Sequence, residues 1–145
     1  MKPSGLLFTS SIVFYVLYDI VSTIAAFDYL GTFEYEKSII LKASFDAAGL
    51  WGFILIKVLF SVAALYLAYL LVERFHRFRG VGMGILAGAT LAGIFVGSSN
   101  LNIILNGSSF WLMGVDSGTI AALLIVGCAA AGFLLIPSET PTRTV

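Results

Sequence analysis

Apolar positions along this chain fall into four unbroken runs, at about 6–30, 50–72, 80–105 and 119–136. A helix needs about 20 mostly apolar residues to cross a bilayer. At about 1.5 Å per residue the first run reaches roughly 37 Å, enough to span with some tilt. A membrane barrel would alternate apolar and polar residues in segments of about ten. These runs do not alternate, so the pattern predicts an all-α, polytopic membrane protein with four transmembrane helices in a single bundle over 1–145.

The intervals are polar in different ways. Over 31–49, Glu34, Glu36, Lys37, Lys42 and Asp46 fall on one side, while Ile39, Ile40, Ala43 and Ala47 come close to helical spacing on the other. Two readings stay open here: a short amphipathic helix at the membrane interface, or a plain loop. The second interval carries Arg74, His76, Arg77 and Arg79, the densest basic cluster in the chain. Basic loops are retained on the cytoplasmic side, so this loop is expected inside, with both termini inside too. The third interval, 107–118, has no Lys or Arg, as an outer loop should; Lys37 and Lys42 in the first are a mild conflict.

Composition supports the lipid reading. The chain has 145 residues, 59% hydrophobic and 11% charged, where soluble domains carry about 25% charged residues. So short a chain has too much surface to hide that much apolar side chain from water. The formal net charge is +0, which leaves no basic field for nucleic acid. The single cysteine, Cys128, cannot form an internal disulfide. The first run follows Lys2 as a signal peptide would, but it is longer than the usual h-region of about 7–15 residues. It also contains Asp19, which favours a retained helix.

Asp19 and Lys57 stand out, each inside an apolar run. A lone Asp or Lys at the bilayer centre costs about 2.5–3.5 kcal/mol on insertion scales. The two lie at similar depth on consecutive antiparallel spans, so they are expected to face each other. Thr23, one turn on from Asp19, and Tyr15, one turn back, share its helix face. Either of two roles fits the constellation Asp19, Thr23, Lys57 and Tyr15. One is a staple that fixes helix register; the other is a functional polar site. In the second, an outward cavity would have Asp28, Glu34 and Glu36 at its mouth, with Asn100, Asn102 and Asn106 opposite. The three asparagines also suit helix capping and interhelical bonding. Gly84 with Gly88, and Gly93 with Gly97, form small-residue stripes that let helices approach closely, within the protomer or in a dimer.

The pattern Asp19-x3-Thr23, Gly31-x2-Glu34-x-Glu36, then Lys57 in the next span resembles an uncharacterised family of small prokaryotic multispanning membrane proteins. Glu36-Lys37 stands where that family carries Asn-Pro. The resemblance covers about the first half of the chain. It implies no activity or cofactor, but it makes Asp19, Glu34 and Lys57 one constellation.

Other chemistry is weaker. Asp116-Ser117-Gly118-Thr119 has the letters of an aspartic protease loop, without the β scaffold and second Asp that chemistry uses. Ser98 or Ser99 and His76 fall at opposite ends of the bundle. Asp28, Glu34 and Glu36 could hold a hard cation only weakly, and nothing in the pattern demands a metal. The expectation is a small, multi-pass protein of the cell membrane, not an enzyme, without cofactor or metal, structural or partner-binding in role. Its partners would be the bilayer, anionic lipid headgroups at the arginine loop, and a homo-oligomer or larger membrane complex. The rival is an ion- or proton-coupled transporter or channel using Asp19 and Lys57.

Overall fold

A computed structural model describes residues 2–32, 38–112 and 114–136. It contains four helices long and apolar enough to cross a membrane. Helix α1 is Pro3–Leu30, with Pro3 in its first turn, where a missing N–H costs nothing. Gly31 ends it at φ 69°, a conformation only glycine adopts without strain. Helix α2 is Ile39–Arg74. A 3-10 turn, His76–Phe78, leads into α3, Arg79–Asn106, which ends on Gly107 at φ 70°. Helix α4 is Ser117–Leu135.

Two local features depart from plain spans. Ile12–Tyr18 within α1 is a π-helix, so the helix is widened just before Asp19. In α2 the backbone breaks at Ala48 and Gly49, the latter at φ 63°. The chain reverses there. A Cβ placed on Gly52 would lie 2.6 Å from the Ser44 carbonyl oxygen, a contact no straight helix makes across eight residues. The short arm, 39–47, therefore runs back along the long arm, 50–74. Its Phe45 ring meets Phe27 of α1 at 5.4 Å. This arm is helical, as one reading of the first interval had it, but it lies against α2 rather than apart from it. Its apolar stripe is turned outward: Ile39 is 85% and Ile40 64% exposed. Outward-facing isoleucines suit a lipid solvent.

The interval after α3 holds a minimal antiparallel ladder, β1 (Trp111–Leu112) with β2 (Val115–Asp116). Gly114, at φ 79°, makes its turn. The apolar pattern gave no sign of this ladder.

Helix α3 is the hub, packing against α1, α2 and α4. Its glycines make that possible. A Cβ on Gly84 would collide with the Cys128 carbonyl of α4, and one on Gly88 would sit 2.7 Å from the Ile125 Cα. On another side, Gly93 abuts the Phe14–Tyr15 backbone and Gly97 the Tyr18 ring. Both stripes are thus spent on packing within the chain, and the second accommodates the widened part of α1. The core of Val16, Ile20, Leu65, Ala68, Val72, Leu86 and Ala89 joins α1, α2 and α3. At the arginine end, the Ser4 hydroxyl donates to Glu73 Oε1 (2.7 Å) and Lys2 Nζ lies 3.6 Å from Glu73 Oε2, tying the start of the chain to the end of α2.

Candidate functional site

The π segment of α1 delivers Asp19 to the junction of α1, α2 and α3. Lys57 Nζ lies 3.0 Å from Asp19 Oδ2, with side chains only 13% and 10% exposed. The same ammonium donates to Thr23 Oγ1 at 3.2 Å and sits 5.3 Å from the centre of the fully buried Phe53 ring. Cation–π attraction adds to the ion pair.

Asn100 of α3 completes the network. Its Nδ2 donates to Ser22 Oγ and Thr23 Oγ1, both at 3.1 Å, and reaches Asp19 Oδ1 at 3.4 Å. Ser22 and Thr23 hydroxyls in turn donate to the Asp19 carbonyl, at 3.0 and 2.6 Å. That back-bonding to the preceding turn leaves both hydroxyl oxygens facing Asn100 as acceptors. Among the described residues, no buried side-chain N or O lacks a hydrogen-bond partner. The charges are therefore both paired and solvated by protein, the condition under which a buried ion pair is tolerated.

The pair is a partition between two cavities. The first, about 330 Å³, runs from Asp19, Thr23, Lys57 and Asn100 to the ends of α1 and α3 and the start of α4, where Leu30, Gly107, Ser109, Asp116 and Gly118 line it. The second, about 280 Å³, lies between α1 and the two arms of α2. Tyr15 lines this second cavity beside Asp19 and Lys57.

The other sequence candidates divide. Asp28 is exposed on α1 and lines neither cavity. Glu34 and Glu36 lie outside the described residues. Of the three asparagines only Asn100 belongs to the network. Asn102 Nδ2 donates to the Ser108 carbonyl and Asn106 Nδ2 to Asn102 Oδ1, each at 2.6 Å, which closes the end of α3. Arg74, His76 and Arg77 are exposed and Arg79 half-buried at the far end of the bundle. Among the lining or network residues that were not sequence candidates are Ser22, Ser109 and Asp116. Asp116 caps α4, accepting from the Gly118 and Thr119 amides at 3.1 and 3.3 Å. An Asp ahead of Ser-Gly-Thr at the start of an apolar run is a helix N-cap signal, and it could have placed Asp116 at the cavity wall. Among the described residues no cluster of three or more His, Cys, Asp or Glu is arranged to hold a metal ion.

Comparison of the chain with models of protein families, with curated proteins and with solved structures returns no match.

Proposed function

We propose that this small helical membrane protein is a binding protein of the cell membrane, whose site for a small polar solute is built on the Asp19–Lys57–Asn100 network. One observation carries the reading: the 330 Å³ cavity reaches the network from the end of the bundle opposite the arginine loop, while the apolar core closes the other end. A dry staple would have packed side chains on both sides of the pair. The site offers the Ser109 hydroxyl and carboxylates at Asp19 and Asp116, which suits a polar, uncharged or zwitterionic solute. Both termini and the arginine loop lie on the cytoplasmic side in this reading, and the cavity faces out. Arg74, His76 and Arg77, interleaved with exposed Phe75 and Phe78, rest on anionic headgroups, each arginine near the surface contributing about 1 kcal/mol. No catalytic step is assigned.

The test uses Val96, a lining residue outside the network. In a Cys128→Ser background, Val96→Cys in sealed vesicles is expected to react with a charged thiosulfonate from the outer face alone. Solutes that bind should slow that reaction. Failure of the reagent to reach Val96→Cys from either face leaves a sealed staple and ends the binding reading.

A second reading is ion- or proton-coupled transport. It is favoured by the pair lining both cavities, so that breaking it would join them. Flux into liposomes that is the same for the natural chain, Asp19→Asn and Lys57→Met removes that reading.

A further inference from the structure

The second cavity differs in kind from the first. Its apolar lining is Ile40 and Leu41 of the short arm of α2 and Ile56 and Phe60 of the long arm; its polar lining, the apex, is Asp19, Lys57, Tyr15 and Ser61, together with Ser38 ahead of the short arm. Ile40 and Phe60 are 64% and 62% exposed. Both lie on surface that faces acyl chains once the bundle is in a bilayer, so the mouth opens sideways into lipid. Whatever enters comes through the membrane and keeps its apolar part near that mouth.

The apex sets the headgroup. Asp19 and Lys57 already cancel at 3.0 Å. A carboxylate or ammonium head would add an uncompensated charge at membrane depth. What the apex offers instead is hydrogen-bond donors. Lys57 is held by Asp19 and Thr23 and lies by the Phe53 ring, and Tyr15 and Ser61, each with a hydroxyl, line the same cavity as Lys57. Several donors around an internally neutral ion pair, in a cavity of about 280 Å³, fit a carbonyl oxygen. The volume is near the lower end of small-molecule sites, about 300–1,000 Å³, enough for a headgroup and the first carbons of a tail.

We propose that the cavity between the two arms of α2 and α1 binds a neutral, lipid-soluble molecule with a carbonyl oxygen at its polar end, held by Lys57, Tyr15 and Ser61 and entering from the bilayer. The short arm is the third wall of this site, beside α1 and the long arm. The sharp reversal at Gly49 places it there, and without it Phe60 and Ile56 would meet only bulk lipid. This site is separate from the outer cavity, although both share the ion pair.

Two sources supply such a head, an ester-linked diacylglycerol and a quinone. The full chain is reconstituted in phosphatidylcholine vesicles with one of three photoactivatable probes, each with a diazirine in its tail: a diacylglycerol, a benzoquinone or a fatty acid. Adducts are mapped by peptide mass spectrometry. The expected result is saturable labelling of the Ile40, Leu41, Ile56 and Phe60 wall by one of the two carbonyl probes, displaced by the same compound without the diazirine. Whichever succeeds identifies the source. Ser61→Trp, which fills the cavity, should reduce wall labelling to the level of bulk lipid; Ile40→Trp, on the exposed arm, serves if Ser61→Trp does not fold. Ser109→Trp, which blocks only the outer cavity, should leave the labelling unchanged, so this proposal and the outer binding site fail separately. Labelling spread evenly over lipid-facing residues, or persisting in the cavity-filling variant, overturns the site. Strongest labelling by the fatty acid overturns the neutral headgroup.

Discussion

At the residue scale the protein turns on how two charges are kept inside an apolar bundle. Asp19 has Lys57, Asn100 and the Thr23 hydroxyl around its carboxylate, and Lys57 has Thr23 and the Phe53 ring as well. Removing one member strands the other. Lys57→Met alone and Asp19→Asn alone are each expected to destabilise by about 3–5 kcal/mol, as when one partner of a buried pair is deleted. The double variant should recover much of that loss. Reversible unfolding in mixed micelles, run as a double-mutant cycle, measures it; fully additive losses would mean that the two side chains do not depend on each other. The charge pair was legible in the sequence because stranded charges are costly in hydrocarbon and the two spans are consecutive. Which asparagine joins them was not. Asn100, Asn102 and Asn106 look alike as letters, and only the side of α3 that each occupies separates a network member from two residues that close a helix end.

Elements come together here through glycine. Helix α4 rests on α3 where Gly80 meets Gly132 and Gly84 meets the Cys128 carbonyl, so its contact is backbone on backbone. Dispersion and close approach, rather than exclusion of water, hold helices together in lipid. Gly84→Ala should therefore weaken the α3–α4 contact, lowering the thermal midpoint in detergent. Gly127→Ala, on the same α4 but with nothing within 4 Å of an added Cβ, should leave it unchanged or raise it. Equal effects from both would show that helix propensity, not packing, governs. The four spans were readable from length and continuity alone. The π segment was not, since Ile12–Tyr18 is an apolar stretch that an α-helix would accept equally well. The reversal in α2 was hidden for a related reason. Gly49 looks like any loop glycine, and the stripe Ile39, Ile40, Ala43 and Ala47 suggests a face seeking protein when the surrounding solvent is lipid.

Over the whole molecule, the two ends have opposite characters. One gathers the arginines and ties down the chain's start through Ser4, Lys2 and Glu73. The other opens the cavity between Leu30, Gly107 and Asp116. Because Lys2 and Glu73 meet, a label at the start of the chain and one in the arginine loop must report the same membrane face. Single cysteines at Lys2 and His76 in the Cys128→Ser background should both be modified only after vesicles of outer-face-out orientation are opened, while Ser109→Cys should react in intact ones. Modification of Lys2→Cys and His76→Cys from opposite faces would contradict the fold itself; both reacting from outside would reverse the proposed orientation and leave the fold intact.

The widened stretch of α1 carries a consequence for how this protein can vary. A π turn closes its hydrogen bond one residue later than an α turn, so seven residues there do the work of fewer. The bundle is thus oversupplied with chain by about one position between Ser11 and Asp19. Losing a residue within 12–18 would let that turn tighten to ordinary pitch while Asp19 still met its partner. Losing one from the unwidened stretch between Asp19 and Leu30 would turn the rest of α1 by roughly 100°. Length change in the first span is tolerable on one side of the carboxylate and disruptive on the other.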